Sequence, residues 1–390
     1  MNSDFSEGDH CLNLKMNYYM KPAILLLFLA TLLLFFSNCE RKTNDILYDS
    51  QYKNEIAEVR KEASLYLMIN NIPGASFAIA REGKIIYSEG MGLASKDLEV
   101  PVTRKTKFRI GEVSELFTSL IYQMMVENGT LHPDSTVQNY IPDYPLSEYK
   151  QTFNKITLSQ LVNHSSGIRK PDGEEENWRG INNTLQNSPD IFKNDQLNTL
   201  PGWYEDLSIY NYNLLGAVME KATGKNFSVL LKNYITDTLK LTNTEVDNPF
   251  RTVIGRTDFY DYNMVSQVVN AVFRDLRFCS SSEGILSNAE DLVKFGNALL
   301  YSDLISDQIK ARLFKPVDLL GDFPPTTSNG WVIMKNNQGD LLYGRVGGVT
   351  GGGAVLLLIP DKKLVIAGTV NLTSSDEIPV FKLITPFLRE

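Results

Sequence analysis

At 390 residues, 43% hydrophobic and 22% charged, the chain can bury a large core and lies outside the compositions of disordered or low-complexity proteins. Its formal net charge of -8, with no basic stripe to neutralise phosphates, excludes nucleic acid as a partner class. One domain with an inserted subdomain is expected, and no internal repeat is visible.

The first element in chain order is a targeting signal. Ile24 to Phe36 is an apolar run broken only by Thr31, with Lys21 before it and Ser37, Asn38 and Cys39 after it. Extended back through Ala23 and Pro22, it still falls short of the roughly 20 residues a spanning helix needs, and it reads as a signal-peptide core within residues 1–38. Asp4, Glu7 and Asp9 are out of place in a basic leader, so Met16 and Met20 are candidate start residues. Phe36-Ser37-Asn38-Cys39 is similar to a relaxed bacterial lipobox, which makes Cys39 the expected lipidation site and a membrane anchor. An ordinary cleaved signal with an incidental cysteine is the alternative. Residues 39–54 then form a polar tether. The chain is expected in the bacterial cell envelope, lipid-anchored on the periplasmic or outer face, or else free in the periplasm or secreted. After the signal only Cys39 and Cys279 remain, so with Cys39 acylated no intramolecular disulfide is available.

The mature chain opens with helical periodicity over Glu55 to Ile69, carried by Ile56, Val59, Ala63, Leu65 and Leu67. Ala75 to Ala80 and Lys84 to Ser88 read as a hairpin around Arg81-Glu82-Gly83. Val113, Leu116, Phe117, Leu120, Ile121 and Met124 recur at helical spacing until Gly129. From Asp134 to about Asp275 the pattern is helix and long loop, with a polar stretch from Lys170 to Asn198. A helix over Ala289 to Leu300 follows, then strand signals at Gly330–Met334, Leu341–Val346, Ala354–Ile359 and Leu364–Val370, a turn at Pro360-Asp361, and a helix over Pro379 to Leu388. The expected class is α+β: an antiparallel sheet built from both chain ends, flanked by helices, in a domain over residues 55–390 with a mainly helical insertion at about 112–285.

Three segments carry the chemistry. Phe108 to Thr118 reads F-R-I-G-E-V-S-E-L-F-T, Pro201 to Gly216 reads P-G-W-Y-E-D-L-S-I-Y-N-Y-N-L-L-G, and residues 345–351 read R-V-G-G-V-T-G. Together they resemble the serine β-lactamase and penicillin-binding protein superfamily, particularly its class C and esterase-like branch. Gly90 to Ser95, Leu161 to Gly167 (L-V-N-H-S-S-G) and Gly284 to Leu292 stand in the expected order, so the likeness spans about Ile56 to Leu388. In that superfamily the first segment holds S-x-x-K, whose hydroxyl and amine share one helix face. Laid without a gap on this chain, those positions are Glu112 and Glu115, and Ser114 matches a second, non-nucleophilic serine. The second segment supplies a proton-relaying Tyr and a substrate-holding Asn, here Leu207 and Ile209, which neither donate nor accept protons. The third supplies His or Lys, here Arg345, while Gly347, Gly348 and Gly351 remain. The resemblance also implies an oxyanion hole of backbone N–H groups at Glu112 and Gly348, beside Gly347.

Glu112 and Glu115 are poor substitutes. A carboxylate attacking an amide makes an anhydride more reactive than the substrate, and its charge opposes an oxyanion. Two carboxylates three residues apart on one helix do not readily bracket a sugar for glycoside hydrolysis. Acidic residues that complement a helix dipole, with Arg345 as a counter-charge across the cleft, are the simpler account. His164 is expected to be a satisfied loop histidine. Cys279, His132 and His164 make no ligand set, so neither metal nor cofactor is expected. Ser50-Gln-Tyr-Lys53 and Ser147-Glu-Tyr-Lys150 match S-x-x-K by letter, one in the tether and one in a polar turn. The sequence therefore points to an exported, lipid-anchored pseudoenzyme that binds a cell-wall peptide, a glycan or an envelope protein. The alternative is an active serine hydrolase, of esterase, β-lactamase or D-amino-acid peptidase type, with a displaced nucleophile.

Overall fold

A computed structural model of the chain describes residues 45–173, 175, 184–322, 324–336, 339–373 and 378–389. The signal segment and Cys39 lie outside the described residues.

The main sheet contains nine strands among the described residues. They are β1 (Ile46–Tyr48), β2 (Gly74–Arg81), β3 (Lys84–Ser95), β4 (Val100–Pro101), β5 (Thr327–Ser328), β6 (Trp331–Lys335), β7 (Leu341–Val349), β8 (Gly352–Ile359) and β9 (Leu364–Val370). Their order is β1-β3-β2-β9-β8-β7-β6-β5, with β4 against β3. All of these pairings are antiparallel. The two chain ends meet where β9 runs against β2, from Leu364 opposite Arg81 to Val370 opposite Ala75. β2, β8 and β9 are buried along nearly their whole length, as continuous apolar runs covered on both faces must be. The antiparallel sheet built from both ends, with helices around it, is the α+β arrangement the sequence predicts.

Two cores follow from the alternation of side chains. On one face, helix α1 (Lys53–Ile69) and the C-terminal helix α5 (Val380–Leu388) pack through Ile56, Val59, Leu383, Ile384 and Phe387 against Phe77, Val355 and Leu357. On the other lie α2 (Ser114–Glu127), α3 (Ile209–Thr223) and α4 (Ala289–Tyr301), around Phe117, Leu120, Tyr212, Phe295 and Trp331. α2 is buried on nearly every side, including its polar residues Ser114, Glu115, Thr118, Ser119 and Gln123.

Several boundaries differ from the sequence reading. The stretch from Ile46 on is not tether: Ile46, Leu47 and Tyr48 add an edge strand opposite Glu89, Ser88 and Tyr87. Arg104–Asp45 and Lys84–Asp49 ion pairs hold it there. The Ser50–Lys53 match falls in the turn leading into α1, and Ser147–Tyr149 is a strand of a small hairpin with Thr152–Asn154. β3 runs on to Ser95 rather than ending at Ser88, because β2 pairs with it as far as Gly92 and β4 beyond. β7 runs on through Gly347 and Gly348 to Val349, because β8 pairs it over that length.

Candidate functional site

Glu112 sits in the short 3-10 turn Gly111–Val113 that leads into α2, and Glu115 occupies the first turn of that helix. This turn touches β7 so closely that side chains are excluded. A Cβ on Gly347 would stand 2.3 Å from the carbonyl oxygen of Ile110 and 2.6 Å from the Glu112 nitrogen. Gly111, at φ +51°, would place one 2.5 Å from the Gly348 nitrogen. The glycines preserve an approach of backbone to backbone, which puts the N–H groups of Glu112 and Gly348 side by side.

One of those N–H groups already has an acceptor: Gly348 N–H donates to Oε2 of Glu112 at 2.7 Å. The side chain at the nucleophile position thus fills the anion site that its own backbone helps to form. Burial raises the Glu112 carboxyl above its ordinary range, against the pull of Arg345 and of the Gly348 N–H, while Glu115 pushes in the same direction as burial.

Glu115 is fully buried and paired to Arg345, which reaches across from β7. Burial works against the Arg345 charge, but Glu115 and then Glu112 outweigh it and hold the guanidinium in its cationic form. His164 is the third member. Its Nε2 lies 3.3 Å from Oε2 of Glu115 without hydrogen-bond alignment, and its Nδ1 accepts from the Ser208 N–H at 3.3 Å. Oε1 of Glu115, Nε of Arg345 and Nε2 of His164 are all buried without a hydrogen-bond partner. Both acids do stand in first turns, and Arg345 is the counter-charge the sequence suggests, but their roles go beyond complementing a helix dipole. Glu112 caps an anion hole, and Glu115 is the centre of a buried ion cluster. His164 is more than a loop histidine, and only its place in L-V-N-H-S-S-G, shared with the superfamily, hinted that it would lie near the helix.

Leu207 and Ile209 flank Ser208, the N-cap of α3, and line the same cavity as Glu112, Glu115 and Arg345. The five altered positions thus meet in one place. Ser208 is the one hydroxyl among the described residues lining it, and it is committed: Oγ donates to the Arg169 carbonyl at 2.6 Å and accepts from the Tyr210 N–H. The nearby phenol of Tyr212 donates to the Val162 carbonyl at 2.9 Å, and burial followed by Glu115 pushes it far above the usual phenol range. Ser114 ties α2 to the next layer by accepting from Ile285 N–H at 3.2 Å. Cys279 is buried elsewhere, its thiol pushed up by burial. Among the described residues no group of three or more His, Cys, Asp or Glu stands where it could share a metal ion.

The cavity measures about 360 Å³ and extends past the cleft floor. β6 pairs only with Leu341 to Gly344 of β7, so the edge of β7 from Arg345 onward is open on that side. The lining crosses this edge at Val346 and continues to Met334, Val355, Leu357 and Phe381.

The family model described as beta-lactamase matches residues 59–383. Among curated proteins, the serine beta-lactamase-like protein LACTB, mitochondrial, of Mus musculus is 24% identical over 388 residues, covering 74% of this chain and 70% of the relative. Protein flp of Staphylococcus aureus is 28% identical over 178 residues, 46% of this chain and 36% of that one. Among solved structures, the octameric penicillin-binding protein homologue from Pyrococcus abyssi superposes with TM-score 0.74 at 21% identity, covering 85% of this chain and 76% of that one. A class C beta-lactamase superposes with TM-score 0.72 at 18% identity, covering 88% and 99%.

Proposed function

Since the chain belongs to the β-lactamase family, its departures at the reacting positions carry the functional question, and we propose that it is a pseudoenzyme whose cleft binds rather than hydrolyses. The observation that carries this reading is the Glu112 carboxylate seated on the Gly348 N–H. An acyl-transfer site must leave that donor empty for the oxyanion, and an anion already there blocks both charge and space. Three further features agree with it. Glu115 replaces a base by a buried, Arg-bound carboxylate. Leu207 and Ile209 offer no proton route. The Ser208 hydroxyl is spent on backbone. Loss of single members from a serine-nucleophile site lowers turnover on the order of a million-fold. A displaced nucleophile would need an uncommitted hydroxyl in the cavity, and Ser208 does not meet that requirement.

Export through the apolar segment and lipidation at Cys39 complete the proposal: an envelope protein whose cleft takes up a cell-wall fragment, a glycan or a protein segment. Intact-mass measurement of the purified protein after a β-lactam and after a fluorophosphonate tests the central part. The expected result is an unmodified mass with both. An adduct mapped to any residue of the cleft overturns the proposal, and protein from the native host reports the lipid in the same spectrum.

A further inference from the structure

The cavity has two chemically distinct ends. At one end are acids. A carboxylate offers about four acceptor positions, and the Gly348 N–H takes only part of that capacity on Glu112. Glu115 lines the same space, and its Oε1 is buried without a hydrogen-bond partner. The single guanidinium among the lining residues, Arg345, is 6% exposed, tied to Glu115, and under the influence of Glu112 as well. Acid outnumbers base, so an anionic ligand is disfavoured at this end and a cation is favoured.

At the other end everything is hydrocarbon. Leu207, Val346, Met334 and Phe381 are 38%, 46%, 36% and 50% exposed, large apolar side chains in one continuous lining. Cavities of this size and make-up, apolar walls with a few converging polar groups, are the usual form of a small-molecule site.

We propose that this cavity binds a primary amine bearing an unbranched apolar chain, its ammonium donating to Glu112 and Glu115 and its chain running over Leu207, Ile209 and Val346 toward Phe381. The inference rests on the reading of the cleft as a binding site. It adds the ligand class: a cationic amphiphile, selected for charge at the acid end and for chain length by the open edge of β7.

The test is calorimetric titration of the folded protein at pH 8 with n-octylamine, n-butylamine and n-octanoate. Octylamine is expected to bind saturably and at least tenfold more tightly than butylamine, as four additional buried methylenes require, while octanoate does not bind. Glu112→Gln is expected to weaken octylamine at least tenfold and Val346→Gln at least threefold. Octanoate binding as tightly as octylamine, octylamine binding unchanged in both variants, or no saturable octylamine binding overturns the proposal. Should circular dichroism show Glu112→Gln unfolded, Val346→Gln and the chain-length comparison decide alone. The two levels separate cleanly. A fluorophosphonate adduct in the cleft removes the binding-site reading itself, whereas a clean mass with no amine uptake removes only this ligand class.

Discussion

The pair Glu115 and Arg345 is where single residues matter most. Both side chains are withdrawn from water, and each is tolerable there only because of the other. Removing one charge leaves its partner buried and uncompensated. Arg345→Met is expected to cost about 3–5 kcal/mol of stability, whereas Glu115→Leu combined with Arg345→Met recovers most of that loss by substituting apolar packing for the pair. Urea denaturation midpoints of the two variants and the parent check this. A double variant no more stable than Arg345→Met alone refutes it. The same residues were legible in the sequence as anomalies. Glu115 stood out because a lysine was expected there and Arg345 because a histidine or lysine was, and opposite charges made Arg345 the expected counter-charge, but nothing in their order along the chain showed that Arg345 would bond Glu115 rather than Glu112 or that the pair would be buried.

At the scale of elements, the segment after His164 is fastened to the start of α3 by a network around Arg169. Its guanidinium holds Glu175 and Asp195, its carbonyl accepts from Ser208, and Tyr210 donates to Glu175 at 3.0 Å. The Arg169 guanidinium, against burial, holds the Glu175 carboxyl down to about 2, from an ordinary value of 4.5. A carboxyl depressed in the folded state contributes stability above its unfolded value and loses it as pH falls through the folded one. The contribution is therefore complete at neutral pH and drains away between pH 4.5 and about 2. Glu175→Gln is expected to lower the melting temperature at pH 7 and to converge with the parent near pH 2. A difference that persists unchanged to pH 2 refutes the assignment. The sequence marked 170–198 as a polar stretch but not this network, because Arg169 stands 26 residues from Asp195 and 39 from Ser208 along the chain.

For the whole molecule, the sheet joins the two chain ends, so each end stabilises the other. α5 buries Val380, Leu383, Ile384 and Phe387 on the face shared with α1. At about 1.5–3 kcal/mol for each large side chain, this burial is comparable to the roughly 5–15 kcal/mol that holds a whole domain together. Deleting the chain from Val380 onward is expected to abolish soluble folded protein. Deleting everything before Lys53 removes, among the described residues, the edge strand β1 with its ion pairs and the Ser50–Tyr52 turn with its Tyr52–Phe387 ring contact, and a cooperatively folded protein of lower melting temperature is expected. Soluble yield and thermal circular dichroism of the two truncations distinguish these outcomes. The reverse ranking refutes the account.

The sequence by itself determined the fold and the subtraction at its centre. Short apolar runs near both ends and helical spacing between them specify a sheet built from both chain ends, and Glu112, Glu115, Leu207, Ile209 and Arg345 interrupt otherwise matching frames. Only the tertiary structure decided what the replacements do. It seats the Glu112 carboxylate on the Gly348 N–H, joins Glu115 to Arg345 and His164, and opens the cavity across the edge of β7 toward Phe381. The reason is physical. Periodicity records which side of an element faces apolar surroundings, whereas a hydrogen bond between residues 112 and 348 depends on two backbones being brought together to within van der Waals contact by glycines, and that distance is set by the packing of the whole domain.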